Sequence, residues 1–378
     1  MLLIKNGTLY TMEREDPIHG DLLIEDGKIT RIAEDIEPTD KMEVIDATNL
    51  QVYPGFIDAH CHIGIAEEKK TPIGDECNEG ATPVTSYIRA LDGINPMDSA
   101  FHNALAAGIT GVMSGPGSAN PMGGQFAFIK TYGRRIDDMV VLAPAAIKIA
   151  FGENPMKNYD TNNNSPSTRM GVAALIREEL SNARVYFEDE SSAEYSFRME
   201  CYRELFCGNI PLKAHVHRVD DIYTAMRIAR EFGLKLTLDH CTEGHLIAED
   251  IAESGVPAIV GPSLASRDKD EIKLIDFKSP GILQKAGVLV AITTDHPVTR
   301  IQYLPLCAGL AAKEGMGQWG ALRAITIDAA RICGVDHRLG SLKVGKDADI
   351  AIYDGSPLEI ASSVKYTIVN GEVVWKQK

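Results

Sequence analysis

The sequence predicts an α/β protein: a (β/α)8 barrel of the TIM type with a small β-sandwich domain formed from both termini. Short apolar segments alternate with helical segments from residue 53 to residue 334, which is typical of β–α units around a parallel sheet. Eight strand segments fall in this region, and eight strands close such a barrel. The two ends of the chain instead have short strands separated by Asn-Gly and Asp-Gly pairs, which favour β-hairpins.

The termini predict the smaller domain. Strand-like segments precede the turns Asn6-Gly7 and Asp26-Gly27 near the N-terminus and the turn Asn370-Gly371 near the C-terminus. We expect residues 1–52 and 335–378 to pair into the β-sandwich domain and residues 53–334 to form the barrel domain.

The barrel strands are predicted from apolar segments bounded by turn residues. They are expected at residues 56–60, 111–114, 140–142, 146–151, 212–216, 235–240, 258–261 and 288–295. Helices are expected at residues 100–107, 172–180, 222–232 and 246–254. Residues 152–210 are too many for one connection, so we expect them to add helices or a lid.

The composition indicates chemistry on small molecules. The chain has 378 residues and a net charge of -15, without a dense Lys/Arg stripe, which argues against nucleic-acid and membrane partners. No secretory signal or membrane span is recognisable, so a cytoplasmic location is expected. Seven cysteines without a C-x-x-C pair indicate reduced thiols. A homo-oligomer is compatible with this fold.

The first barrel strand has the most informative pair of residues, His60 and His62. Side chains alternate along a strand, so Asp58, His60 and His62 share one face and the two imidazoles converge. Imidazole nitrogen is the commonest protein ligand for zinc. On its own, this spacing fits a pair of hydrogen-bonded histidines equally well.

Further polar groups occur where later strands are expected to end. His215 and His217 end the fifth strand, His240 the sixth and Asp295 the eighth. The carboxyl ends of barrel strands form the active-site face, so we expect these groups to converge. Imidazole and carboxylate ligands suit Zn²⁺, with Mn²⁺ or Fe²⁺ as replacements.

Together these features resemble the amidohydrolase superfamily of metal-dependent hydrolases. The resemblance rests on the segment PGFIDAHCH at residues 54–62, on His215, His240 and Thr294-Asp295, and on the segment GSLKVGKDADIA at residues 340–351. It spans nearly the whole chain and is greatest for the imidazolonepropionase-related branch, in a subgroup that has a Gly-Glu-Asn-Pro element, here residues 152–155.

The resemblance implies a role for each of these residues. His60 and His62 match the ligands of one metal, His215 and His240 match those of a second, and two Zn²⁺ ions are implied. Asp295 matches a carboxylate that contacts a metal and acts as general base and acid. The implied reaction is cleavage of a C–N bond in an amide, cyclic amide or dipeptide by a metal-activated hydroxide. His217 is expected to contact substrate or stabilise the tetrahedral oxyanion.

Two residues compete for the position that bridges the metals. Glu153 offers a carboxylate directly, and Lys148 offers an amine that is carboxylated in many binuclear relatives. A salt bridge from Lys148 to Asp58 or Glu153 is the structural alternative for the lysine. For Glu153 the alternative is a solvated loop position. We favour Glu153 and keep Lys148 as the rival.

One position departs from the resemblance. Cytosine-deaminase-like members and imidazolonepropionase have a glutamate three residues after the strand-five histidine, and this chain has Arg218 there. Arginine binds carboxylates through two hydrogen bonds but does not shuttle protons near neutral pH, so a carboxylate-bearing substrate is expected. Asn120 and Gln125, in a glycine-rich stretch after the second strand, are further substrate-binding candidates.

Two other functions remain open from the sequence. The first is a mononuclear metal deaminase of a heterocycle, which the arginine at position 218 disfavours. The second is a catalytically silent scaffold on the same fold, which the retention of every expected ligand position disfavours.

Overall fold

The computed structural model describes residues 1–68, 74–160, 166–188 and 194–377. Its strands, in chain order, are β1 (Leu2–Leu9), β2 (Ile18–Glu25), β3 (Lys28–Ala33), β4 (Glu43–Asp46), β5 (Gln51–Pro54), β6 (Phe56–Cys61), β7 (Ile109–Ser114), β8 (Met122–Lys130), β9 (Val140–Ala150), β10 (Leu212–Val216), β11 (Leu236–His240), β12 (Ala258–Val260), β13 (Val290–Ile292), β14 (Ile350–Tyr353), β15 (Val364–Val369) and β16 (Glu372–Lys376).

The α-helices, in chain order, are α1 (Ser99–Ala106), α2 (Ile136–Met139), α3 (Glu153–Asp160), α4 (Arg169–Glu188), α5 (Phe197–Glu200), α6 (Arg203–Phe206), α7 (Val219–Phe232), α8 (Ala248–Ser254), α9 (Ser279–Lys285), α10 (Leu304–Ala311), α11 (Gln318–Ala324) and α12 (Ile327–Ile332). Short 3-10 helices lie at Ala90–Asp92, Gly244–Ile247, Asp270–Ile272 and Ile301–Tyr303, and a π-helical turn at Ala312–Met316.

Strands from both ends of the chain share one sheet. Its order is β16-β15-β14-β5-β1-β2-β3, and β4 pairs with β1 in addition. The two ends join where β5 pairs antiparallel with β14. Ile4, Leu22, Ile350 and Ile368 pack together in the apolar core of this sheet. The two-layer sandwich and the domain boundaries at residues 52/53 and 334/335 stay predictions.

The second sheet is a nearly closed barrel of eight strands in the order β6 to β13. All its neighbours pair in parallel except β8, which is antiparallel to both β7 and β9. The prediction of a TIM-like barrel is confirmed, but an entirely parallel sheet is wrong. Buried on both faces, the parallel strands lack the alternation of half-exposed strands.

The one reversed strand explains an error in the strand assignment. Residues 140–142 and 146–151 were expected to form two strands, but β9 is one strand of 11 residues. Pro144 lies where the register between β8 and β9 shifts, so it interrupts the pairing without ending the strand. The eighth strand is β8, where Gly123 and Gly124 had indicated a loop. A Cβ at Gly123 would lie 3.1 Å from the Lys148 side chain, so glycine permits the close approach of β8 to β9.

Side chains help to close the barrel between β6 and β13. Asp58 of β6 accepts hydrogen bonds from Thr293 Oγ1 at 2.7 Å and from the Thr294 backbone N–H at 3.1 Å. The His62 N–H donates to the His296 carbonyl at 2.9 Å. Asp58 is fully buried and belongs to this seam, although the strand period placed it on the face of His60.

The helices cover the barrel with apolar faces. In α7, Ile222, Ala225, Met226 and Ala229 are buried at helical spacing, and the helix ends at Gly233 with a φ of 68°. Helices α1, α4, α7 and α8 occupy the four predicted positions. Residues 152–210 contain α3, α4, α5 and α6, as the prediction of added helices requires, while residues 161–165 and 189–193 lie outside the described part of the chain.

Two findings bear on the sequence expectations about compartment. All seven cysteines are free thiols, as predicted. Within the four described ranges, none of the helices combines the length and the apolar character that crossing a bilayer requires.

Candidate active site

Six polar side chains meet at the carboxyl ends of the barrel strands. His60 lies in β6 with His62 just after it, His215 lies in β10 with His217 just after it, and His240 ends β11. Asp295 follows β13. Each of the six is at most 9% exposed. The structure therefore brings together the four histidines expected to bind metal, His217 and Asp295.

The six residues form two overlapping clusters. Ligand atoms of His60, His240 and Asp295 lie within 4.8 Å of one another, as do those of His215, His217 and His240. His240 belongs to both clusters and is the geometric centre of the site.

One carboxylate oxygen lies between the two histidines of the first strand. Asp295 Oδ1 is 3.1 Å from His62 Nε2 and 3.3 Å from His60 Nε2. The backbone of Asp295 has a φ of 51° and that of His240 a φ of 69°. Left-handed backbone is uncommon for residues with a side chain and is concentrated at functional sites.

Backbone carbonyls fix the tautomers of two histidines. His62 Nδ1 is 2.7 Å from the Gly115 carbonyl oxygen, and His240 Nδ1 is 2.7 Å from that of Gly261. A carbonyl oxygen only accepts hydrogen bonds, so Nδ1 has the proton in both rings. The lone pair of Nε2 is therefore free for a ligand, the arrangement found in metal-binding histidines.

His217 has a different partner. Its Nδ1 is 2.8 Å from Thr242 Oγ1, and a hydroxyl either donates or accepts. The Nε2 atom of His217 is therefore able to have either a proton or a lone pair. Among His62, His240 and His217, only His217 is therefore able to direct an Nε2–H at a substrate oxygen.

A buried ion network lies beneath His60. Asp239 Oδ2 is 3.0 Å from His60 Nδ1, and the same carboxylate accepts from Lys213 Nζ at 2.9 Å and from Lys148 Nζ at 3.4 Å. Lys213 Nζ also donates to the Ala59 carbonyl. Although burial would raise the pKa of Asp239, Lys213, His60 and Lys148 hold that pKa well below its usual range.

Burial also determines the charge of the ligand atoms. It lowers the pKa of His215 and His217 well below the usual range and that of His240 to about 3. Burial acts oppositely on Asp295, but the neighbouring histidines, His240 first, hold the pKa of Asp295 well below normal. Neutral imidazoles beside an ionised carboxylate are the forms that bind divalent metals.

Several buried polar atoms of the site lack a hydrogen bond to any described residue. They are His60 Nε2, His215 Nδ1 and Asp295 Oδ1. Unpaired buried polar atoms are costly, and cations bound at the two clusters would satisfy them. Nitrogen and carboxylate donors are those that Zn²⁺ takes, so the residues present fit a metal.

A cavity of about 450 Å³ opens above the clusters. His62, His215, His217, His240 and Asp295 line its inner part. Its lining also includes residues that the sequence did not single out: Asn78, Ser118, Asn154, Ser263 and Lys269. Asn154 belongs to the Gly-Glu-Asn-Pro element. That motif therefore does contribute to the cavity, through the residue after Glu153.

Glu153 lies apart from both clusters. It begins α3, where one carboxylate oxygen pairs with Lys157 one turn along the helix. The other oxygen accepts from the Glu271 N–H at 3.2 Å. Glu153 does not line the cavity. Helix α3 begins at this residue, shortly after β9, and the carboxylate lies along the helix towards Lys157. The preferred bridging role is therefore not supported by this geometry.

Lys148 is fully buried in β9, below the clusters. Its ion pair is made with Asp239, not with Asp58 or Glu153 as considered from the sequence. Its amine otherwise faces the ring of Phe126, 5.5 Å from the centroid. Carboxylation of this amine stays a prediction.

Arg218 does not line the cavity. Its guanidinium makes two hydrogen bonds of 3.0 Å to Asp220, and both side chains are about half exposed. Because α7 begins at the next residue, Arg218 turns towards the first turn of that helix and its two acidic residues. This geometry does not support the expected carboxylate-binding role of Arg218, which stays a prediction.

Asn120 and Gln125 are also outside the cavity lining. Asn120 donates to Thr85 Oγ1 at 2.7 Å and accepts from the Tyr159 hydroxyl at 2.7 Å. Gln125 lies within β8 and donates to the Ser86 carbonyl at 3.4 Å. Both amides are occupied in holding neighbouring segments together, which makes them structural residues in this fold.

Glu271 is a buried carboxylate that the sequence analysis missed. One oxygen accepts from the Glu153 N–H at 2.8 Å, and the other, Oε1, is 3.9 Å from His217 Nε2 without a hydrogen bond to a described residue. Burial raises the pKa of Glu271. No sequence signal marked it, because it lies in a short 3-10 helix and approaches His217 only through the tertiary fold.

Comparison with known proteins identifies relatives. A family model described as the amidohydrolase family matches residues 51–374. A solved amidohydrolase structure from Thermotoga maritima MSB8 superimposes with a TM-score of 0.96, at 38% identity and full coverage of both chains. Imidazolonepropionase from Brevibacillus brevis is 27% identical over 89% of this chain and 84% of its own.

Another relative is longer than this chain. The amidohydrolase tasK of Hapsidospora irregularis is 26% identical over 93% of this chain, which spans 39% of that protein. The likeness to tasK is therefore a likeness to one part of it.

Proposed function

The chain belongs to the amidohydrolase family, and we propose that it hydrolyses a carbon–nitrogen bond of an amide, cyclic amide or dipeptide with the help of a divalent metal. It is an enzyme of the kind that acts on carbon–nitrogen bonds. The observation that carries the proposal is the convergence of buried imidazoles and the Asp295 carboxylate in one cavity.

The metal ligands are assigned as the resemblance to the amidohydrolase superfamily implies, and all of them belong to the two clusters except His62, whose Nε2 lies 3.1 Å from Asp295 Oδ1. His60, His62 and Asp295 would hold one ion, and His215 with His240 would hold a second, with Zn²⁺ as the first choice and Mn²⁺ or Fe²⁺ as replacements. When bound, such a metal polarises a carbonyl oxygen and lowers the pKa of water. The shared position of His240 fits two ions close together.

Asp295 handles the proton. Its ionised carboxylate accepts a proton from the attacking water and later donates it to the leaving nitrogen, which is general base and then general acid catalysis. Its Oδ1 atom lies 3.1 Å from His62 Nε2 and 3.3 Å from His60 Nε2, so the carboxylate faces the same space as these ligand atoms. His217, whose Thr242 contact permits an Nε2–H, stabilises the oxyanion of the tetrahedral intermediate.

The bridging position goes to Lys148 in this proposal. Lys148 is buried and lies in the ion network that contacts His60, while the carboxylate of Glu153 is held by Lys157 and the Glu271 N–H. Carboxylation of the Lys148 amine would give a carboxylate that is able to bridge two cations. An unmodified lysine ammonium is not a metal ligand.

A second candidate is a mononuclear deaminase of a heterocycle. His60, His240 and Asp295 offer three ligands to one ion without His215 and His217. The geometry therefore supports one ion as well as two. The two reactions differ in product, because a deaminase releases ammonia.

The test is a substrate panel with metal-loaded protein. The panel contains N-acetyl amino acids, dipeptides, hydantoin and dihydrouracil as amides, and adenosine and cytosine as amino-heterocycles. We expect release of a carboxylate from an amide, lost on chelation and restored by Zn²⁺. The control is Asp295→Asn with its metal content measured. Ammonia from a heterocycle would favour the deaminase, and no turnover by metal-loaded protein would favour the silent scaffold.

A further inference from the structure

One cation in the cavity is not paired with an acid. Lys269 is the single lysine or arginine among the described residues that line the cavity. Its Nζ donates a hydrogen bond of 2.6 Å to Asn154 Oδ1. In the described part of the chain it makes no salt bridge to a carboxylate, although an ammonium has three N–H groups to donate.

Two other basic residues discussed for the site are paired with acids. Arg218 binds Asp220 through two nitrogens, and Lys157 pairs with Glu153. A half-buried ammonium with unused donors, facing the space where substrate must bind, is therefore available for an anion.

Asn154 connects Lys269 to the catalytic cluster. Its Nδ2 donates to Ser118 Oγ at 2.7 Å and lies 3.4 Å from His215 Nε2. The Ser118 contact and the Lys269 contact together fix which way the amide points. The ammonium of Lys269 and the ring of His215 are thus separated by the width of one carboxamide group.

The surroundings favour a single negative charge. The exposed carboxylates Asp75, Asp268 and Asp276 also line the cavity and would repel a doubly charged phosphate. One ammonium with N–H groups left to donate matches the single charge and the acceptor oxygens of a carboxylate. A carboxylate is also small enough to lie close to a scissile carbonyl.

We propose that Lys269, positioned by Asn154, binds the carboxylate of the substrate. The enzyme would then act on amides in which a carboxylate lies a few bonds from the scissile carbonyl, as in N-acyl α-amino acids and dipeptides. This inference rests on the proposed hydrolase function and moves the carboxylate-binding role from Arg218 to Lys269.

The experiment compares matched charged and neutral ligands. Binding of N-acetyl amino acids with varied side chains, and of the same compounds as C-terminal amides, is measured by calorimetry with metal-loaded protein. Cleavage of both series is measured in parallel. Two variants change the site: Lys269→Met keeps the length of the side chain, and Lys269→Arg keeps the charge. The control is Lys273→Met, because Lys269 precedes and the exposed Lys273 follows the 3-10 helix Asp270–Ile272.

We expect the native protein to bind acids more tightly than amides. Lys269→Met should weaken binding of the acids about 10- to 100-fold, as loss of a charged hydrogen bond does, and leave the amides unchanged. Lys269→Arg should keep part of the preference, and Lys273→Met all of it. Absence of a preference for acids across the series, or an equal loss for acids and amides in Lys269→Met, overturns the proposal.

The two proposals fail in different ways. Cleavage of the panel without a preference for acids would leave the hydrolase standing and remove the role of Lys269. A preference for acids that Lys269→Met abolishes, without cleavage of any member, would keep the subsite and remove the hydrolase.

Discussion

Two networks of buried charge differ in how completely they are hydrogen-bonded. At the junction of the two sheets, Lys130 Nζ donates to Asp347 at 2.8 Å, to Asp349 at 2.9 Å and to the Asn370 side chain. Arg338 also donates to Asp347, at 2.8 Å. All three N–H groups of Lys130 have acceptors, so this network is saturated at its lysine.

The network under the active site is not saturated. Lys213 makes two good hydrogen bonds, but among the described residues Lys148 makes one, of 3.4 Å, to Asp239. Directly above it, His60 Nε2 lacks a hydrogen bond to a described residue. Buried charge alone therefore does not mark a functional site, whereas incompletely bonded charge beside unpaired ligand atoms does.

The largest effect should come from Asp295. Asp295→Asn removes the proton acceptor, so kcat should fall about 10²- to 10⁴-fold. Thermal stability should stay close to that of the native protein, because the asparagine is isosteric. Steady-state kinetics together with metal analysis of the variant measure this. Native kcat in a metal-loaded variant would remove Asp295 from the proton transfer.

The saturated network should respond with stability instead. Lys130→Met leaves Asp347 and Asp349 buried without their shared partner, so the free energy of unfolding should fall by about 3–5 kcal/mol. Urea denaturation measures it, with Lys343→Met as the control, since its pair with Glu13 is exposed and worth at most about 1 kcal/mol. Loss of activity without loss of stability would mean that the Lys130 network serves the reaction and not the stability of the fold.

Asp239 should affect metal binding first. Asp239→Asn weakens the acceptor for His60 Nδ1, so metal affinity should fall about 10- to 100-fold. Competition with a chelator measures the affinity, and Asp220→Asn, in an exposed pair with Arg218, is the matched control. Unchanged affinity would mean that Asp239 serves only to neutralise the lysines.

Lys148 should contribute little to stability. Lys148→Met keeps the volume and removes a charge with one long hydrogen bond, so the free energy of unfolding should change by less than about 1.5 kcal/mol. Lys213→Met should cost more, since two good bonds are lost. If Lys148 bridges two metals, its variant loses one equivalent. A destabilisation as large as that of Lys130→Met would place Lys148 among the structural ions.

The smallest effect should come from Arg218. Arg218→Ala breaks an exposed pair, so stability should change by at most about 1 kcal/mol, with the KM for acidic amides unchanged. Kinetics beside those of Lys269→Met measure this. A rise in KM comparable to that of Lys269→Met would return the carboxylate-binding role to Arg218.

The sequence predicted what local patterns determine. His60 and His62 alternate on a strand, and His215, His240 and Asp295 follow apolar segments, so their convergence at one barrel edge followed from strand ends alone. The predicted number of eight barrel strands agrees with the structure only because two errors cancel: β9 was counted as two strands, and β8 was missed because its paired glycines resemble a turn.

Contacts between distant segments were not predictable. Lys269 reaches Asn154 across more than a hundred residues, and Glu271 reaches the Glu153 N–H in the same way. Arg218 and Glu153 lie outside the cavity lining because a helix begins at or just after each, and each side chain pairs with an oppositely charged residue of that helix. These contacts depend on the positions of loops in the folded chain, which the residue types of a short segment do not determine.

The most direct test of the account is metal content per chain. Protein purified without chelators is analysed for metals, together with His240→Ala, which removes the residue common to both clusters, and His102→Ala as an exposed control. The account predicts about two equivalents of a divalent metal in the native protein and in His102→Ala, and a loss of at least one equivalent in folded His240→Ala. Folded native protein that takes up no metal after supplementation, or a His240→Ala variant that keeps the native content, would contradict it.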